Sequence, residues 1–429
     1  MNSRLKISGL RKFVLVFGDF LSFAAGLLLA LGIRYGFPIP AEQLGAHRYP
    51  FGIIFIIWLL GFYVGGLYAL RKAKNDKSFF ALFLTVFGAN AAVVVLFFYF
   101  IPYFSITPKT VLFLDLGITL TLTLGWRIIF NRVVSLPPLK IAVLGDGKEV
   151  DELLHELRMH PQHGYECAAH IKDEAQSKYL QKLVKDEEID AIIVEMDYRN
   201  AHEVQKNLFE CIQLRVQFFE FVDFYEKIMQ KIPLAAIDKA WFLENLNESG
   251  KEMVDSLKRD ADIFIALVLG VVGIILFPFV AAAIWLDSGR PLFYSQMRVG
   301  RFNSPFKIYK FRSMHIGGKD SVTRIGRFLR TSHLDEIPQL WNLLKGEMSF
   351  VGPRPEQVWI VEDLKNKVPF YTERLLVRPG ITGWAQFFMP HAKADEALEK
   401  LQYDLFYIKH RSLLLDLQIL LKTLRILLS

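Results

Sequence analysis

The chain has little cysteine, with only Cys167 and Cys211 among 429 residues. Neither residue stands in a Cys-x-x-Cys or Cys-x-x-His pattern, so the two support neither a disulfide framework nor a zinc site. Isolated thiols of this kind usually pack as small apolar side chains. The cysteines therefore indicate a protein of a reducing compartment.

A complete nucleotide-binding fingerprint is also missing. A short β-strand is predicted over 140–144 and a glycine turn follows at Gly145 and Gly147, but Val150 stands where the third glycine is needed. The turn alone is weak evidence for a bound dinucleotide. A structural or assembly role is the favoured alternative.

The same region alternates between strand and helix patterns. Beyond the first strand, the predicted elements are a helix over 149–159 and strands over 191–194 and 216–219. This alternation predicts a Rossmann-like α/β domain over 138–230. A homodimer formed through this domain is one assembly that the pattern leaves open.

Acidic residues are outnumbered, with 44 Asp and Glu against 51 Lys and Arg and a net charge of +7. The hydrophobic fraction of 52%, with 37 Phe, exceeds that of a typical soluble protein. A basic, apolar chain favours contact with anionic lipid or phosphorylated substrates, and nucleic acid is the competing partner. The length predicts two or three separate cores.

Four apolar runs approach the roughly 20 residues that a membrane-spanning helix needs. They cover 14–33, 51–70, 79–101 and 111–126, and they predict a four-helix transmembrane domain over 1–134. Asp19, Asn90 and Asp115 interrupt these runs, and such residues usually face the interior of a bundle. A transporter is the less favoured alternative.

Basic residues cluster before the first run, between the second and third, and after the fourth, where Arg127 and Arg132 stand. The positive-inside rule then places the N-terminus and everything after residue 127 in the cytoplasm. A fifth apolar run over 261–286 has basic residues at both ends and contains Pro278, which can kink a helix. A re-entrant helix is favoured over a fifth span, since a span would export the region around Asp335.

Cations dominate residues 290–330, where aromatic and basic residues alternate over 306–312 as in a strand. A nucleic-acid surface would look similar. An adjoining re-entrant segment instead places this stretch at the lipid headgroups, so nucleic acid is not expected as a partner. Lys310 and Arg312 are the cations predicted to contact substrate phosphate.

An acidic pair, Asp335 and Glu336, precedes a predicted helix over 339–344. Asp335 is predicted to cap that helix, although Pro338 removes an N–H that a cap would bind. An ionised Asp there can attack phosphorus, and Glu336 can hold Mg²⁺. Arg354, flanked by prolines on both sides, suits bidentate phosphate binding.

Five ordered motifs in residues 255–429 resemble the bacterial sugar transferase family, the polyprenyl-phosphate hexose-1-phosphate transferases. They are Lys258-Arg259-x-x-Asp262, Lys310-Phe-Arg-Ser-Met314, Leu334-Asp-Glu-Ile-Pro-Gln339, Leu344-Lys-Gly-Glu-Met-Ser-Phe-Val-Gly-Pro-Arg-Pro355 and Arg378-Pro-Gly-Ile-Thr-Gly-Trp-Ala-Gln386. The preceding spans and nucleotide-type domain resemble the long members that start exopolysaccharide or O-antigen synthesis. The resemblance implies a catalytic domain over 255–429 after a linker over 231–254.

The resemblance also implies a reaction. A sugar 1-phosphate would pass from a UDP-sugar to undecaprenyl phosphate at the cytoplasmic face of the bacterial inner membrane, with Mg²⁺ required and UMP released. Asp335 would be the nucleophile and Glu336 would lie beside the metal. Arg330, with Arg354, would bind phosphate, and Asp404 would aid the metal or the nucleotide.

The last motif adds Arg378 as a further phosphate ligand and Gln386 as a further site residue. After Gln386 many members continue Val-Asn-Gly-Arg, whereas this chain has Phe387-Phe388-Met389-Pro390, so the transferred sugar is not indicated. Residues 413–428 are predicted as an amphipathic helix on the membrane or as part of the core. A nucleotide-sensing scaffold with an inert transferase-like domain is the alternative function, and direct attack by the lipid phosphate is the alternative mechanism.

Overall fold

The computed structural model describes residues 3–68, 77–100, 109–133, 138–195, 202–246, 251–315, 321–390 and 396–428. The chain divides into two compact units. The first comprises Met1–Leu144, Leu154–Ile192 and Tyr198–Gln217, and the second comprises Gly145–Leu153, Ile193–Asp197 and Phe218–Ser429. A helical N-terminal region is followed by a mixed α/β region, in agreement with the predicted order of helical and α/β domains.

The N-terminal region is formed by four long apolar helices. They are α1 (Ser3–Tyr35), α2 (Ala41–Val64), α3 (Lys77–Phe100) and α4 (Lys109–Val133). Each contains most of one predicted apolar run, and each is long and apolar enough to cross a membrane. The basic connection over 71–76, which contributed to the predicted orientation, lies outside the described residues.

The polar residues that interrupt the apolar runs are buried, as expected: Asp19, Asn90 and Asp115 are each at most 5% exposed. Arg127 is buried as well, and its Nη2 donates to Asp19 Oδ2 at 2.5 Å. This position corrects the prediction that Arg127 is a cation flanking the fourth span. Helix α4 continues to Val133, so Arg127 lies within the helix and is neutralised by a carboxylate from α1.

A four-stranded sheet follows the helical region. Its order is β2–β1–β3–β4, where β1 is Leu139–Leu144, β2 is Tyr165–Ile171, β3 is Ala191–Val194 and β4 is Gln217–Glu220. Strands β1 and β2 are parallel. Helices α5 (Lys148–Met159), α6 (Leu180–Asp186), α7 (His202–Ile212) and α8 (Phe221–Met229) alternate with the strands. Strand β2 is absent from the sequence prediction because its burial neither alternates nor is continuous, so it carries no strand signal.

The C-terminal region begins with α9 (Lys239–Asn245) and α10 (Glu252–Ser288), a 37-residue helix that includes Pro278. Strands β5 (Phe293–Val299) and β6 (Pro305–Phe311) form an antiparallel hairpin, and β7 (Ser349–Val351) pairs in parallel with β8 (Gly380–Thr382). The remaining helices are α11 (Arg324–Thr331), α12 (Leu340–Lys345), α13 (Val358–Lys367), α14 (Trp384–Phe388), α15 (Ala397–His410) and α16 (Leu413–Leu428). Residues of the predicted linker, including Ile232 and Trp241, are buried in the core of this region.

Both ends of α10 contact other elements of the second unit. Near its beginning, Arg259 donates to two carbonyls at the end of α12 at 2.5 and 2.8 Å, and the Asp262 carboxylate accepts from the Phe350 N–H at 3.1 Å. At its end, Arg312 donates to the Ser288 carbonyl at 2.7 Å. Much of the helix between these contacts is exposed and apolar. Its exposed residues include Phe264, Val271, Ile275 and Phe279.

Candidate active site

A cavity of about 770 Å³ opens beside the β5–β6 hairpin in the second unit. Its lining includes most of the residues that the sequence singled out, namely Lys310, Arg312, Arg330, Asp335, Glu336 and Arg354. These residues come from β6, from the turn that follows it, from α11, from a 3₁₀ segment and from a loop. The tertiary structure therefore brings an acidic pair and several cations to one space.

The acidic pair lies in a 3₁₀ segment, Leu334–Gln339. His333 precedes the segment in the left-handed conformation at φ 54°, and its carbonyl accepts from the Glu336 N–H at 3.1 Å. Asp335 does not cap the following helix, so the predicted cap is wrong. Helix α12 begins only at Leu340, because a tighter 3₁₀ turn that tolerates Pro338 separates the pair from it.

Glu336 is held by two cations. Lys310 Nζ donates to Glu336 Oε1 at 2.5 Å, and Arg354 Nη2 lies 3.9 Å from the same oxygen. Burial by itself would raise the pKa of Glu336, but Lys310 and Arg354 outweigh burial and hold that pKa below its usual value. Glu336 is therefore an ionised carboxylate whose charge is already partly balanced.

Asp335 has the opposite environment. Its side chain is buried, and burial raises the pKa of the carboxyl above its usual value, although the positive charge of Lys310 opposes that rise. The neighbouring Glu336 charge adds to the increase. Two adjacent carboxyl groups with pKa values moved in opposite directions can take different chemical roles.

Arg312 has partners that the sequence did not indicate. Besides the Ser288 carbonyl, its guanidinium donates to the carbonyls of Gly289 and Arg290 and to the Ser288 hydroxyl, at 2.7 to 3.0 Å. These acceptors belong to the last residue of α10 and to the two residues that follow it. In the described structure Arg312 holds the end of that helix against β6, and phosphate contact by its guanidinium stays a prediction.

The guanidinium groups of Arg330 and Arg354 have fewer hydrogen-bond partners in the described structure than that of Arg312. The Nε of Arg330 donates to the Ser313 hydroxyl at 2.9 Å from α11. Arg354 is 45% exposed, and the chain around it is fixed through backbone carbonyls: Arg374 donates to the Arg354 carbonyl and Arg298 to the Pro355 carbonyl, each at 3.1 Å. The loop is rigid while the Arg354 guanidinium remains exposed beside the cavity.

Arg374 was not indicated by any motif. Its side chain is 4% exposed, and its Nη2 lies 2.7 Å from Asp404 Oδ2. Burial opposes its charge, but Asp404, with Tyr371 and Glu356, raises the pKa of Arg374. Asp404 does not line the cavity, and its expected aid to the metal or the nucleotide stays a prediction. Its carboxylate instead balances a buried cation that anchors the loop of Arg354.

Arg378 and Gln386 also lie outside the lining of the cavity. Arg378 is half-buried just before β8, and its backbone carbonyl approaches Gly352 so closely that a Cβ there would lie 2.4 Å from it. Gln386 donates to the Ile381 carbonyl at 3.2 Å. Arg378 therefore packs against Gly352 near Arg354 and Gln386 contacts β8, and their predicted roles at the substrate stay predictions.

The residues that depart from the family motif form an aromatic cluster. Lys422 Nζ lies 4.2 Å from the centre of the Phe387 ring and 4.5 Å from that of Trp384. The Phe388 ring stacks on Tyr403 with centroids 4.7 Å apart. Cation–π contacts of this kind join α14 to α16. None of these residues lines the cavity.

The donor set at the acidic pair suits Mg²⁺. This ion binds carboxylate oxygen and usually takes only one or two carboxylates, with substrate phosphates completing its shell. Asp335 and Glu336 offer hard oxygen atoms beside a cavity that is large enough for phosphates. Lys310 already balances part of the charge on Glu336, so a divalent ion would share that carboxylate with Lys310.

The Glu195 carboxylate, just after β3, packs against the glycine turn of the nucleotide-type domain. A Cβ at Gly145 would lie 2.5 Å from Glu195 Oε2, and the Asp146 N–H donates to Glu195. Gly145 has φ 147°, in the region that favours glycine. A carboxylate therefore occupies the Asp146 N–H, one of the groups that would receive a nucleotide phosphate, which disfavours a dinucleotide there.

The fold and site define a class of protein: a chain with long apolar helices whose α/β region brings carboxylates and cations together around one cavity. Residues 253–429 match the family model described as bacterial sugar transferase. Over 183 residues the chain is 38% identical to the uncharacterized sugar transferase EpsL of Bacillus subtilis (strain 168), of which it covers 86%. The chain belongs to the bacterial sugar transferase family.

Two longer relatives have named activities. The chain is 42% identical over 185 residues to a UDP-N-acetylgalactosamine-undecaprenyl-phosphate N-acetylgalactosaminephosphotransferase of Aeromonas hydrophila. It is 39% identical over 181 residues to a UDP-glucose:undecaprenyl-phosphate glucose-1-phosphate transferase of Klebsiella pneumoniae. These matches involve 40% and 39% of this chain, and they span only 44% and 39% of those relatives.

Proposed function

We propose that this protein transfers a sugar 1-phosphate from a UDP-sugar to undecaprenyl phosphate and releases UMP. The observation that carries the proposal is the convergence of Asp335, Glu336, Lys310 and Arg354 on one cavity. Family membership and the named activities of the relatives support the same reaction. The relatives differ in their sugar, which is N-acetylgalactosamine in one name and glucose in the other.

The proposed reaction has two displacements at one phosphorus atom. An Asp335 carboxylate oxygen attacks the phosphorus bonded to the sugar, the bond from that phosphorus to the bridging oxygen breaks, and UMP leaves with the electron pair. An oxygen of undecaprenyl phosphate then attacks the same phosphorus and releases the Asp335 carboxylate. The product is undecaprenyl diphosphate sugar, and the enzyme returns to its starting state.

The surrounding charges fit these steps. Arg354 is exposed on a rigid loop and is suited to bidentate binding of a phosphate. Lys310 lowers the pKa of both carboxyl groups and so favours the nucleophilic form of Asp335. Glu336, with substrate phosphates, would hold Mg²⁺; when bound, that ion supplies charge neutralisation for the diphosphate.

The contacts of α10 support a re-entrant arrangement, and the positive-inside rule would put it on the cytoplasmic face. A helix that crossed the bilayer would separate its two ends, yet Arg259 near one end and Ser288 at the other both contact the same compact unit. The exposed apolar stretch between them would lie in one leaflet, with Pro278 as the site of a bend. UDP-sugars would reach the cavity from the cytoplasm.

The parallel pairing of β1 with β2 and the alternation of strands and helices support a Rossmann-like domain, to which we assign a structural role. The contact of Glu195 with the glycine turn supports that role over nucleotide sensing. The transferase domain also retains its acidic pair and cations, which an inert domain would not need. The scaffold alternative is therefore the less favoured function.

Isotope exchange tests the proposed function. The purified chain in detergent, with Mg²⁺ and without lipid phosphate, is expected to move labelled UMP into unlabelled UDP-sugar, because the first displacement is reversible. A panel of UDP-sugars identifies the substrate by the strongest exchange. Absence of exchange, combined with UMP release that depends strictly on undecaprenyl phosphate, would support direct attack. Absence of both across the panel would reject the transferase function.

The charge of Lys310 should set the acid side of the pH profile. Asp335 attacks only when ionised, so activity rises with pH through its pKa, which burial raises. Replacing Lys310 with Met removes the charge that opposes this rise, so the acid limb of kcat/KM should move to higher pH. Lys307→Met is the matched control, since Lys307 lies on the opposite face of β6. An acid limb that stays in place or moves to lower pH would contradict the assignment.

A further inference from the structure

A second cluster of ligand-type side chains lies in the first unit, at the end of α5. Glu156 and His160 are four positions apart and therefore lie on one face of the chain as the helix ends. His163 reaches the same place through the 3₁₀ turn Pro161–His163, which Gly164 closes at φ 74°. One ligand atom from each of the three side chains lies within 4.8 Å of the other two.

The ring nitrogens converge on a single oxygen. His160 Nδ1 and His163 Nε2 are each 2.9 Å from Glu156 Oε1. The two rings are 78° from parallel, with centroids 6.0 Å apart, so they do not stack on each other. The side chains are 46%, 21% and 29% exposed for His160, His163 and Glu156, so an ion can reach them from solvent.

A helix end that prefers positive charge explains part of this arrangement. Histidines are favourable near the C-terminus of a helix, and each can donate to the carboxylate of Glu156. That explanation does not require both rings to present a nitrogen to the same oxygen atom. Two imidazole nitrogens and one carboxylate oxygen are also the donor set of many zinc sites that keep an open fourth position.

We propose that Glu156, His160 and His163 bind one divalent transition-metal ion, with Zn²⁺ as the ion that best suits two imidazoles and one carboxylate. The ion replaces the ring protons that now face Glu156, and water completes its coordination. Binding joins the end of α5 to the turn that precedes β2 (Tyr165–Ile171). The site is separate from the acidic pair and does not depend on the transferase reaction.

Cobalt provides a probe with its own signal. The full chain, without a polyhistidine tag and freed of metal by a chelator, is titrated with Co²⁺ in detergent with excess Mg²⁺ to occupy magnesium sites. We expect a saturable visible absorption of four-coordinate Co²⁺ that Zn²⁺ abolishes by displacement. Glu156→Ala and His163→Ala should each weaken Co²⁺ binding by about a hundredfold, since even loss of an outer-shell partner costs 10- to 100-fold.

Two controls locate the signal. His155→Ala removes an exposed histidine of the same helix and should leave Co²⁺ affinity unchanged, as should Asp335→Asn. Zn²⁺ should also raise the thermal midpoint of the unmodified chain and of His155→Ala, but not of His163→Ala, because binding to the folded state stabilises it. Circular dichroism before heating confirms that the surface variants fold.

The contrary results are equally specific. An unmodified chain with no saturable Co²⁺ signal would overturn the proposal, as would equal affinity in Glu156→Ala and His163→Ala. A signal that Asp335→Asn removes and His163→Ala retains would place the ion at the acidic pair and would also reject the site. Failure of the transferase assays has no bearing on these measurements.

Discussion

Asp335→Asn should abolish the covalent phosphosugar and reduce UMP release by about a thousandfold or more, as expected when the nucleophile of a catalytic unit is removed. The carboxamide has nearly the shape of the carboxylate, but it offers no anionic oxygen to attack phosphorus. Radiolabelled UDP-sugar, quenched in acid after a short incubation with Mg²⁺, measures the covalent label. Labelled UMP measures turnover.

Asp363→Asn is the matched control. Asp363 is an exposed carboxylate on α13 whose partner is Lys367 at 2.7 Å, so its loss should leave both labelling and turnover intact. A similar thermal midpoint for Asp335→Asn and the unmodified chain shows that the site variant is folded. Retention of the covalent label in Asp335→Asn would refute its assignment as the nucleophile, whereas retained turnover without label would indicate direct attack by the lipid phosphate.

Arg374→Leu should lower the free energy of unfolding by about 3–5 kcal/mol, the usual cost of leaving one partner of a buried ion pair without the other. Arg374 is 4% exposed and lies 2.7 Å from Asp404, which is buried as well. The variant also removes the donor to the Arg354 carbonyl, so transferase activity should fall with stability. Chemical unfolding in detergent, followed by tryptophan fluorescence, measures the change.

A double variant separates charge from packing. Arg374→Leu combined with Asp404→Leu removes both charges, and it should recover part of the lost stability because no unpaired charge stays buried. Lys367→Leu, which breaks an ion pair with a 66% exposed lysine, should cost at most about 1 kcal/mol. If Arg374→Leu is no more destabilising than this control, the buried pair is not a structural anchor.

The sequence was most informative where apolar residues follow one another without interruption. The apolar runs near spanning length predicted the long helices α1 to α4, because a membrane demands about 20 apolar residues in succession. The predicted strand over 191–194 has the same bounds as β3. Its four consecutive apolar residues are all buried, so the strand is marked by a continuous apolar run. Strand β2, with its mixed burial, gave no such signal.

Local motifs were less informative about how a side chain is used. Arg312 stands in a basic, aromatic stretch that suggests phosphate, yet its guanidinium is occupied by the carbonyls at the end of α10. Asp404 belongs to a motif that suggests the metal or the nucleotide, yet it balances Arg374 in the core. Both partners are distant in sequence, and charge alone does not distinguish a ligand for substrate from a ligand for backbone.

By itself, then, the sequence determined the membrane character, the family and the identity of the acidic pair, because these depend on local composition and ordered motifs. Only the tertiary structure decided that Asp335 and Glu336 have pKa values moved in opposite directions, since burial and the nearby Lys310 act through space. It alone also showed that both ends of α10 contact one unit and that Arg374 fixes the loop of Arg354. These properties depend on contacts between residues that are distant in sequence, and local sequence patterns do not reveal such contacts.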